Sequence, residues 1–246
     1  MFRAEIDGHP LKFDHAGMFG GNYTFADRET GSRWQQETGE ATEGKLKGRH
    51  LEIYPFVITS WKTWRTRYPE TLVMLPVPGL SEEYAEFWSR IAARYTTPPS
   101  GPSPKTEQTL HPEDARLPAR SLVVGAEVAG ARRAYPLDVL KKEGVINDQL
   151  GNGEAVLVVY TPEDDTVTMF SRTLNARTLT FDRRPQSSEL VDAETGSQWN
   201  EFGECVAGKL KGSHLKMVIG EPQFWWAWAA YGSTTSVYDG KGMPPR

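Results

Sequence analysis

The stretch that decides the fold is a turn-and-strand motif that occurs twice. Residues 29–34 read Glu-Thr-Gly-Ser-Arg-Trp, and residues 194–199 read Glu-Thr-Gly-Ser-Gln-Trp. The second copy then loses one residue, after which the matches resume: 44–48 with 208–212 (both Gly-Lys-Leu-Lys-Gly), His50 with His214, Trp61 with Trp225, and Trp64 with Trp228. Agreement in both residue type and spacing over such a span predicts an internal duplication.

The two copies differ in length. The second, residues 120–240, begins with about fifty residues that the first, residues 1–80, lacks. In that extra part Leu122–Val128 and Ala131–Tyr135 predict a hairpin. Ala155–Tyr160 is a continuous apolar run, which is typical of a strand buried on both faces.

The partner of this buried strand is predicted to be Thr166–Ser171. Because the first copy lacks equivalents of these strands, we expect it to be a partial repeat. An unpaired sheet edge or a shallow open cleft is expected near Phe2–Ile6, and self-association through that edge would follow.

A different segment separates the copies. Residues 81–95 have apolar side chains at spacings of three and four, which predicts an amphipathic helix whose stripe faces a repeat. The stripe consists of Tyr84, Phe87, Trp88 and Ile91. Six of the 17 prolines fall within residues 96–119, which predicts an extended linker.

These features predict an α+β fold in which β-structure dominates. Two tandem homologous repeats, the first lacking its N-terminal part, are joined by the amphipathic helix and the Pro-rich linker. Short helices are expected at Asp138–Lys142, around Ser60–Tyr68 and around Phe224–Tyr231. A doubly wound α/β fold is disfavoured because strands and helices do not alternate regularly.

Composition excludes several classes of protein. The 246 residues carry a net charge of −4, so there is no basic excess for nucleic-acid binding. No apolar run approaches the ~18 residues of a membrane helix, and the first residues do not read as a signal peptide. The single cysteine, Cys205, excludes an internal disulfide and is expected to be a buried structural thiol.

The repeated motif offers the candidate binding residues, with two interpretations. In the first, Thr-Gly forms a tight turn and the following Trp anchors the core. In the second, carboxylates beside an aromatic ring, together with one Glu/His pair per copy, bind a ligand. The candidates are Asp27, Glu29, Trp34, Glu40 and His50, repeated as Asp192, Glu194, Trp199, Glu204 and His214. We expect no metal ion and no cofactor, since no residue set has metal-ligand spacing.

The chain as a whole resembles the bacterial domain-of-unknown-function family 3179. The resemblance rests on residues 27–34, 38–41, 44–48 and 61–64 in the first copy, and on 124–128, 133–137 and 146–148 in the second. It implies a family and no established activity. Members of that family typically carry Cys-x-x-Cys, in some with selenocysteine, directly after a buried strand.

This chain departs from that pattern, because Thr161 and Asp164 stand where the second copy would carry the two thiols. In the first copy the position would precede Met1. The resemblance therefore raises the expectation that the natural gene encodes a Cys or selenocysteine pair upstream of Met1. A location outside the cytoplasm would be compatible with such a truncated N-terminus.

Three functions remain open at this point. The first is a non-catalytic binding or structural module with an unknown small molecule or protein as partner. The second is a thiol or selenol redox protein whose reactive pair lies upstream of Met1. The third is a carbohydrate-acting enzyme that uses paired carboxylates.

Overall fold

The computed structural model describes residues 1–19, 22–75, 77–96, 114–184, 189–230 and 234–240. Its strands are β1 (Glu5–Ile6), β2 (His9–Pro10), β3 (Phe13–Phe19), β4 (Asn22–Asp27), β5 (Arg33–Gln35), β6 (Ala41–Glu43), β7 (Leu122–Val128), β8 (Ala131–Pro136), β9 (Val145–Leu150), β10 (Glu154–Thr161), β11 (Thr166–Ser171), β12 (Thr173–Leu174), β13 (Arg177–Thr178), β14 (Phe181–Arg183), β15 (Leu190–Asp192), β16 (Gln198–Trp199), β17 (Cys205–Ala207), β18 (Met217–Val218), β19 (Gly220–Phe224) and β20 (Ser236–Val237). Its helices are α1 (Trp61–Arg67), α2 (Ser81–Thr96), α3 (Leu137–Glu143) and α4 (Trp225–Ala230). The fold is α+β with β-structure dominant, as predicted.

Four sheets of four strands make up most of the fold. The first meander has the order β3-β4-β5-β6, and the second meander has the order β14-β15-β16-β17. The central sheet has the order β18-β11-β10-β9. The outer sheet has the order β19-β7-β8-β20, with β20 parallel to β8.

The central sheet is buried on both faces of β10, which explains the unbroken apolar run in that strand. Val156, Val158 and Tyr160 point to a core shared with the outer sheet and α3. Leu157 and Val159 alternate with them and point to a core shared with the second meander. Covering both faces removes water from every side chain of the run.

The first meander has a smaller core of its own. Trp34 on β5 packs edge-on to Phe13 on β3, with ring centroids 6.0 Å apart. The other buried members of this core are Ile6, Leu11, Ala41 and Leu51. In the second meander Trp199 packs against Phe181 in the same edge-on manner, at 5.7 Å.

The outer sheet holds α4 against its surface. Trp225 and Trp228 of α4 are buried beside Val123 and Ala134. Gly125 on β7 makes this packing feasible, because a Cβ there would lie 2.3 Å from the Trp228 ring.

Most local predictions are confirmed. The hairpin formed by β7 and β8 turns at Ala129 and Gly130, both of which have positive φ. The buried strand β10 pairs with β11, its predicted partner. The three short helices occur where they were expected, as α1, α3 and α4.

The amphipathic helix forms as α2, but the prediction that its stripe faces a repeat is wrong. Tyr84, Phe87 and Trp88 are 39%, 48% and 61% exposed. The apolar period fixes which face of a helix is hydrophobic and carries no information on what covers it. The side chain of Ile91 and most of the predicted linker lie outside the described residues. No helix within the described ranges is both long enough and apolar enough to cross a membrane.

The segment Phe2–Ile6 is paired along one side, where Arg3 N donates to Glu52 O at 2.8 Å and Tyr54 N donates to Met1 O at 2.9 Å. Phe2 forms an isolated bridge with Ile53, and β1 pairs only with β2 among the strands that the structure describes. In the second copy, by contrast, Phe170 lies on β11 between β10 and β18. The β12–β13 hairpin is also two-stranded, so the β1–β2 hairpin is not unusual in itself.

Candidate functional site

The repeated turn motif builds a buried hydrogen-bond network. Asp27 is 1% exposed and accepts hydrogen bonds from Trp34 Nε1 at 2.8 Å, from Thr30 N at 2.5 Å and from Thr30 Oγ1 at 2.9 Å. Burial opposes ionisation of Asp27, but these hydrogen bonds outweigh it and hold its pKa below the usual range. Asp192, Thr195 and Trp199 form the same network.

The glutamates of the motif tie neighbouring strands together. Glu29 Oε2 accepts a hydrogen bond from Lys12 N at 2.9 Å, and Glu194 Oε2 accepts one from Thr180 N at 2.8 Å. Trp34 and Trp199 are buried, which confirms the prediction of their burial. These residues of the motif therefore all have structural contacts within their own meander.

The two Glu/His pairs lie on equivalent surfaces with different surroundings. Glu40 is bridged to His50 through the backbone, and Glu204 to His214. In the second meander α1 and the residue after it contact part of this surface: Arg67 forms an ion pair with Glu204, and Tyr68 lies edge-on to Phe202, whereas the His214 side chain stays 65% exposed. In the first meander Glu40 and His50 instead line an open cleft.

The cleft has a volume of about 620 Å³ and lies between the first meander and the outer sheet. One wall contains Glu37, Glu40, His50, Leu51 and Ile53; the facing wall contains Glu127, Val128, Arg132, Ile219 and Glu221, with Trp228 behind it. A cleft of this size, with apolar walls and a few converging charged groups, is typical of small-molecule sites.

Arg132 lines the cleft and is fixed there by its packing. Its guanidinium carbon lies 3.9 Å from the centroid of the Trp228 ring, a cation–π contact. Its Nη2 is 3.8 Å from Glu37 Oε1, and its Nε is 3.7 Å from the cross-strand Glu127. Gly125 therefore acts indirectly, because it leaves room for the ring on which Arg132 rests.

Glu37 reaches the cleft from the turn between β5 and β6. This turn is one residue longer than its counterpart in the second meander. Gly39 closes it with a φ of +65°, and a Cβ there would strike the Phe2 ring. Glu37 Oε1 accepts a hydrogen bond from Gln223 Nε2 at 2.9 Å, and the Glu37 side chain is 9% exposed.

Glu221 enters from β19 on the same face as Gln223, because the two residues are two positions apart on one strand. The cross-strand partner of Glu221 is Gly125. Among the described residues, its carboxylate forms no hydrogen bond and no ion pair. It is nevertheless only partly exposed to solvent.

Burial and mutual repulsion shift the pKa values of this group. The pKa of Glu221 is raised to about 7, first by burial and then by the charge of Glu37. Burial also raises the pKa of Glu37, against the opposing effects of Gln223 and Arg132. Burial lowers the pKa of Arg132, which stays protonated near neutral pH as arginine does in proteins.

Comparison with known proteins places this sequence within a family. A family model described as "Protein of unknown function (DUF3179)" matches residues 1–235. The chain belongs to this family. No curated protein and no solved structure matches it significantly.

In this DUF3179 chain one of the two positions that the resemblance would assign to thiols, Asp164, has a clear structural role. Asp164 accepts hydrogen bonds from Thr59 Oγ1 at 2.9 Å, Ser60 N at 3.2 Å and Thr166 Oγ1 at 2.6 Å. Burial opposes its ionisation, but these donors hold its pKa well below the usual range. Thr161 Oγ1 is buried beside this network without a partner among the described atoms.

The thiol that the DUF3179 chain does contain is poorly suited to nucleophilic chemistry. Cys205 is 4% exposed, and burial raises its pKa. A raised pKa reduces the thiolate fraction that reacts. No three His, Cys, Asp or Glu side chains in the described part of the chain are grouped as a metal site.

Of the residues that line the cleft, Glu40 and His50 were among the sequence candidates, whereas Glu37, Glu221 and Arg132 were not. The missed residues come from a turn, a late strand and a hairpin that only the tertiary fold brings together. One signal was present: the turn containing Glu37 is the place where the two copies differ in length.

Proposed function

We propose that the chain is a non-catalytic binding module whose ligand occupies the cleft between the first meander and the outer sheet. The observation that carries this proposal is the cleft itself. It offers about 620 Å³, apolar walls and converging charged groups. Of the sequence candidates, Glu40 and His50 belong to this site.

We also propose that residues 1–80 and 120–240 are tandem copies, joined by the helix of residues 81–95 and the linker of residues 96–119. Matching contacts support this. Trp34 and Trp199 donate to the equivalent aspartates at 2.8 and 2.9 Å. A Cβ at Gly44 would lie 2.6 Å from the Cα of Ser32, and one at Gly208 would lie 2.7 Å from the Cα of Ser197.

Duplication explains why the equivalent surfaces of the two copies can be compared. Each copy presents the same turn surface beside its Glu/His pair. In the second copy Phe202 and Glu204 are occupied by contacts with Tyr68 and Arg67 of the first. In the first copy the longer turn instead brings Glu37, whose side chain is 9% exposed, to the wall of the cleft, and the space in front of it stays open.

A carbohydrate-acting enzyme is the second candidate, because Glu37 and Glu221 supply the paired carboxylates that such chemistry uses. The surroundings favour it less. Sugars stack on open aromatic faces, whereas Trp228 is 3% exposed and its ring is covered by Arg132. The buried Cys205 does not support a redox function either.

A blocked-cleft variant tests the binding function. Ile53 lines the cleft and is 37% exposed, so Ile53→Trp should fill it. Val206→Trp places the same ring at a residue that is 40% exposed on the second meander and serves as the matched control.

The measurement is a thermal-shift screen with small cationic, neutral and anionic organic molecules. We expect compounds that stabilise the wild type and the Val206→Trp protein but lose their effect in Ile53→Trp. If every stabilising compound acts equally on Ile53→Trp, the ligand site lies elsewhere and the proposal fails.

A further inference from the structure

The cleft carries more negative than positive charge. Its carboxylates are Glu37, Glu40, Glu127 and Glu221, and its basic groups are Arg132 and the imidazole of His50. The amino group of Met1 also interacts with Glu221, at a distance beyond an ion pair. Arg132 is shared between Glu37 and Glu127, so Arg132 and the Met1 amino group together face four carboxylates. The field in the cleft therefore attracts cations.

Glu221 is the group that most lacks a partner. Glu37 has the amide of Gln223 and the guanidinium of Arg132, whereas the Glu221 carboxylate has no hydrogen bond and no ion pair among the described residues. A partly buried carboxylate without a donor is costly. A ligand that brings an N–H donor and a positive charge would remove that cost.

The remaining lining is mostly apolar and sets the shape of the ligand. Its aliphatic and methionine side chains are Leu51, Ile53, Val128, Met217, Val218 and Ile219, and Thr38, Gly125 and Trp228 complete the lining. A hydrated metal ion would leave these side chains facing water. An organic molecule with an apolar body would cover them and gain the free energy of their burial.

Anions are disfavoured by the way Arg132 is held. Its face rests on Trp228, and its Nη1 is buried, without a partner among the described atoms, rather than open to the cleft. An anion that approached the remaining edge would meet Glu37 and Glu127 first. The negative charge of the cleft and the restricted access to Arg132 therefore both disfavour an anionic ligand.

We propose that the cleft binds an organic monocation, a primary ammonium or guanidinium group on an apolar body, with the cationic group between Glu221 and Glu37 and the body against Ile53 and Ile219. This inference rests on the proposed function, because it names the ligand class of the same cleft.

Titration calorimetry with three probes of similar shape tests the ligand class. The probes are phenethylammonium chloride, 2-phenylethanol and sodium 3-phenylpropionate. At pH 8 we expect phenethylammonium to bind with one site per chain and at least about tenfold more tightly than the alcohol, which is the scale of one charge-assisted hydrogen bond. The propionate should bind more weakly still.

Variants locate the cation. Glu221→Gln and Glu37→Gln should each weaken phenethylammonium binding by about tenfold or more. Glu201→Gln is the matched control, because Glu201 lies in the equivalent turn of the second meander, outside the cleft. Its affinity for the probe should equal that of the wild type.

Proton release adds a readout that a structural defect would not reproduce. At pH 7 the cation should bind the ionised form of Glu221 and expel a proton. Two buffers of different ionisation heat should therefore give different apparent enthalpies for the wild type and nearly equal ones for Glu221→Gln.

The inference is overturned if the propionate or the alcohol binds as tightly as the ammonium, or if Glu221→Gln leaves the ammonium affinity unchanged. In that case the cleft can still be the ligand site, which the Ile53→Trp screen decides. If none of the three probes binds, the monocation inference is also overturned, and the same screen separately decides the proposed function.

Discussion

The indole nitrogen of Trp34 lies 2.8 Å from Oδ2 of Asp27, so that a buried ring and a buried carboxylate satisfy each other. Trp199 and Asp192 repeat the contact at 2.9 Å. A short polar bond inside an apolar core explains why the Thr-Gly-Ser-x-Trp spacing is strict. The turn must bring Asp27 to the N–H edge of the indole while Gly31 supplies a φ of +69°.

Replacing either tryptophan should cost much stability. Trp34→Ala and Trp199→Ala are each expected to lower the free energy of unfolding by about 3–5 kcal/mol, since a large buried side chain is removed. Denaturant titration measures this. Trp61→Ala is the control, because Trp61 is 52% exposed and should cost under about 1 kcal/mol. Losses below about 1 kcal/mol at both buried sites would contradict their anchoring role.

Asp27 should make stability depend on pH in the acidic range. Its pKa is lowered in the folded state, so its contribution is present above about pH 4 and is lost as the pH falls through the folded value. Asp27→Asn should cost roughly 2 kcal/mol at pH 7, the scale of hydrogen bonds to a charged group. The difference in unfolding free energy between the wild type and Asp27→Asn should become smaller as the pH is lowered. A difference that stays constant down to pH 2 would show that the charge of Asp27 does not contribute to stability.

Gly212 and Gly203 both have a positive φ, but only Gly203 is also crowded by a neighbouring side chain, so replacement by alanine should cost more at Gly203. Gly212 has a φ of +86° and open space around it, so Gly212→Ala should cost only the backbone strain of roughly 1–2 kcal/mol. A Cβ at Gly203 would also lie 2.6 Å from the buried Phe170 ring, which should add about 1–3 kcal/mol. Equal losses for the two variants, measured by chemical denaturation, would argue against the close packing of Phe170.

Glu221 should destabilise the fold as the pH rises towards neutrality. Its pKa is raised to about 7, so its protonated form supports the fold below about pH 4, and that support is lost as the pH rises through 7. Relative to Glu221→Gln, the wild type should lose on the order of 1–3 kcal/mol between pH 4 and pH 8. Glu37→Gln should lower the pKa of Glu221, which carbon NMR of the carboxyl group can follow. A Glu221 that titrates near pH 4 in the wild type would refute this description of the cleft.

Local sequence signals predicted the fold better than they predicted the site. Alternation and turn residues were enough for the β7–β8 hairpin and for the pairing of β10 with β11, because those signals act between neighbours in the chain. The contact between Gln223 and Glu37 joins residues 186 positions apart. No local pattern encodes such a contact.

The exposed stripe of α2 also shows that a local sequence pattern does not predict tertiary contacts. Its spacing predicted a helix correctly, yet Trp88 is 61% exposed because periodicity does not specify a partner surface. The extra residue in the turn containing Glu37 was visible in the sequence. Its effect on the cleft could not be predicted without the position of β19. The pairing of β19 with β7 brings Glu221 and Gln223 opposite that turn.

The central claim is that small molecules bind in the cleft between the first meander and the outer sheet. Amide chemical-shift mapping with phenethylammonium, 2-phenylethanol and 3-phenylpropionate tests it most directly, because the second meander presents an equivalent surface within the same molecule. The account predicts saturable shifts for at least one probe at Glu37, Ile53, Arg132 and Ile219, together with the indole N–H of Trp228. Shifts confined to the surface around Phe202 and His214, or scattered over the chain without saturation, would contradict it.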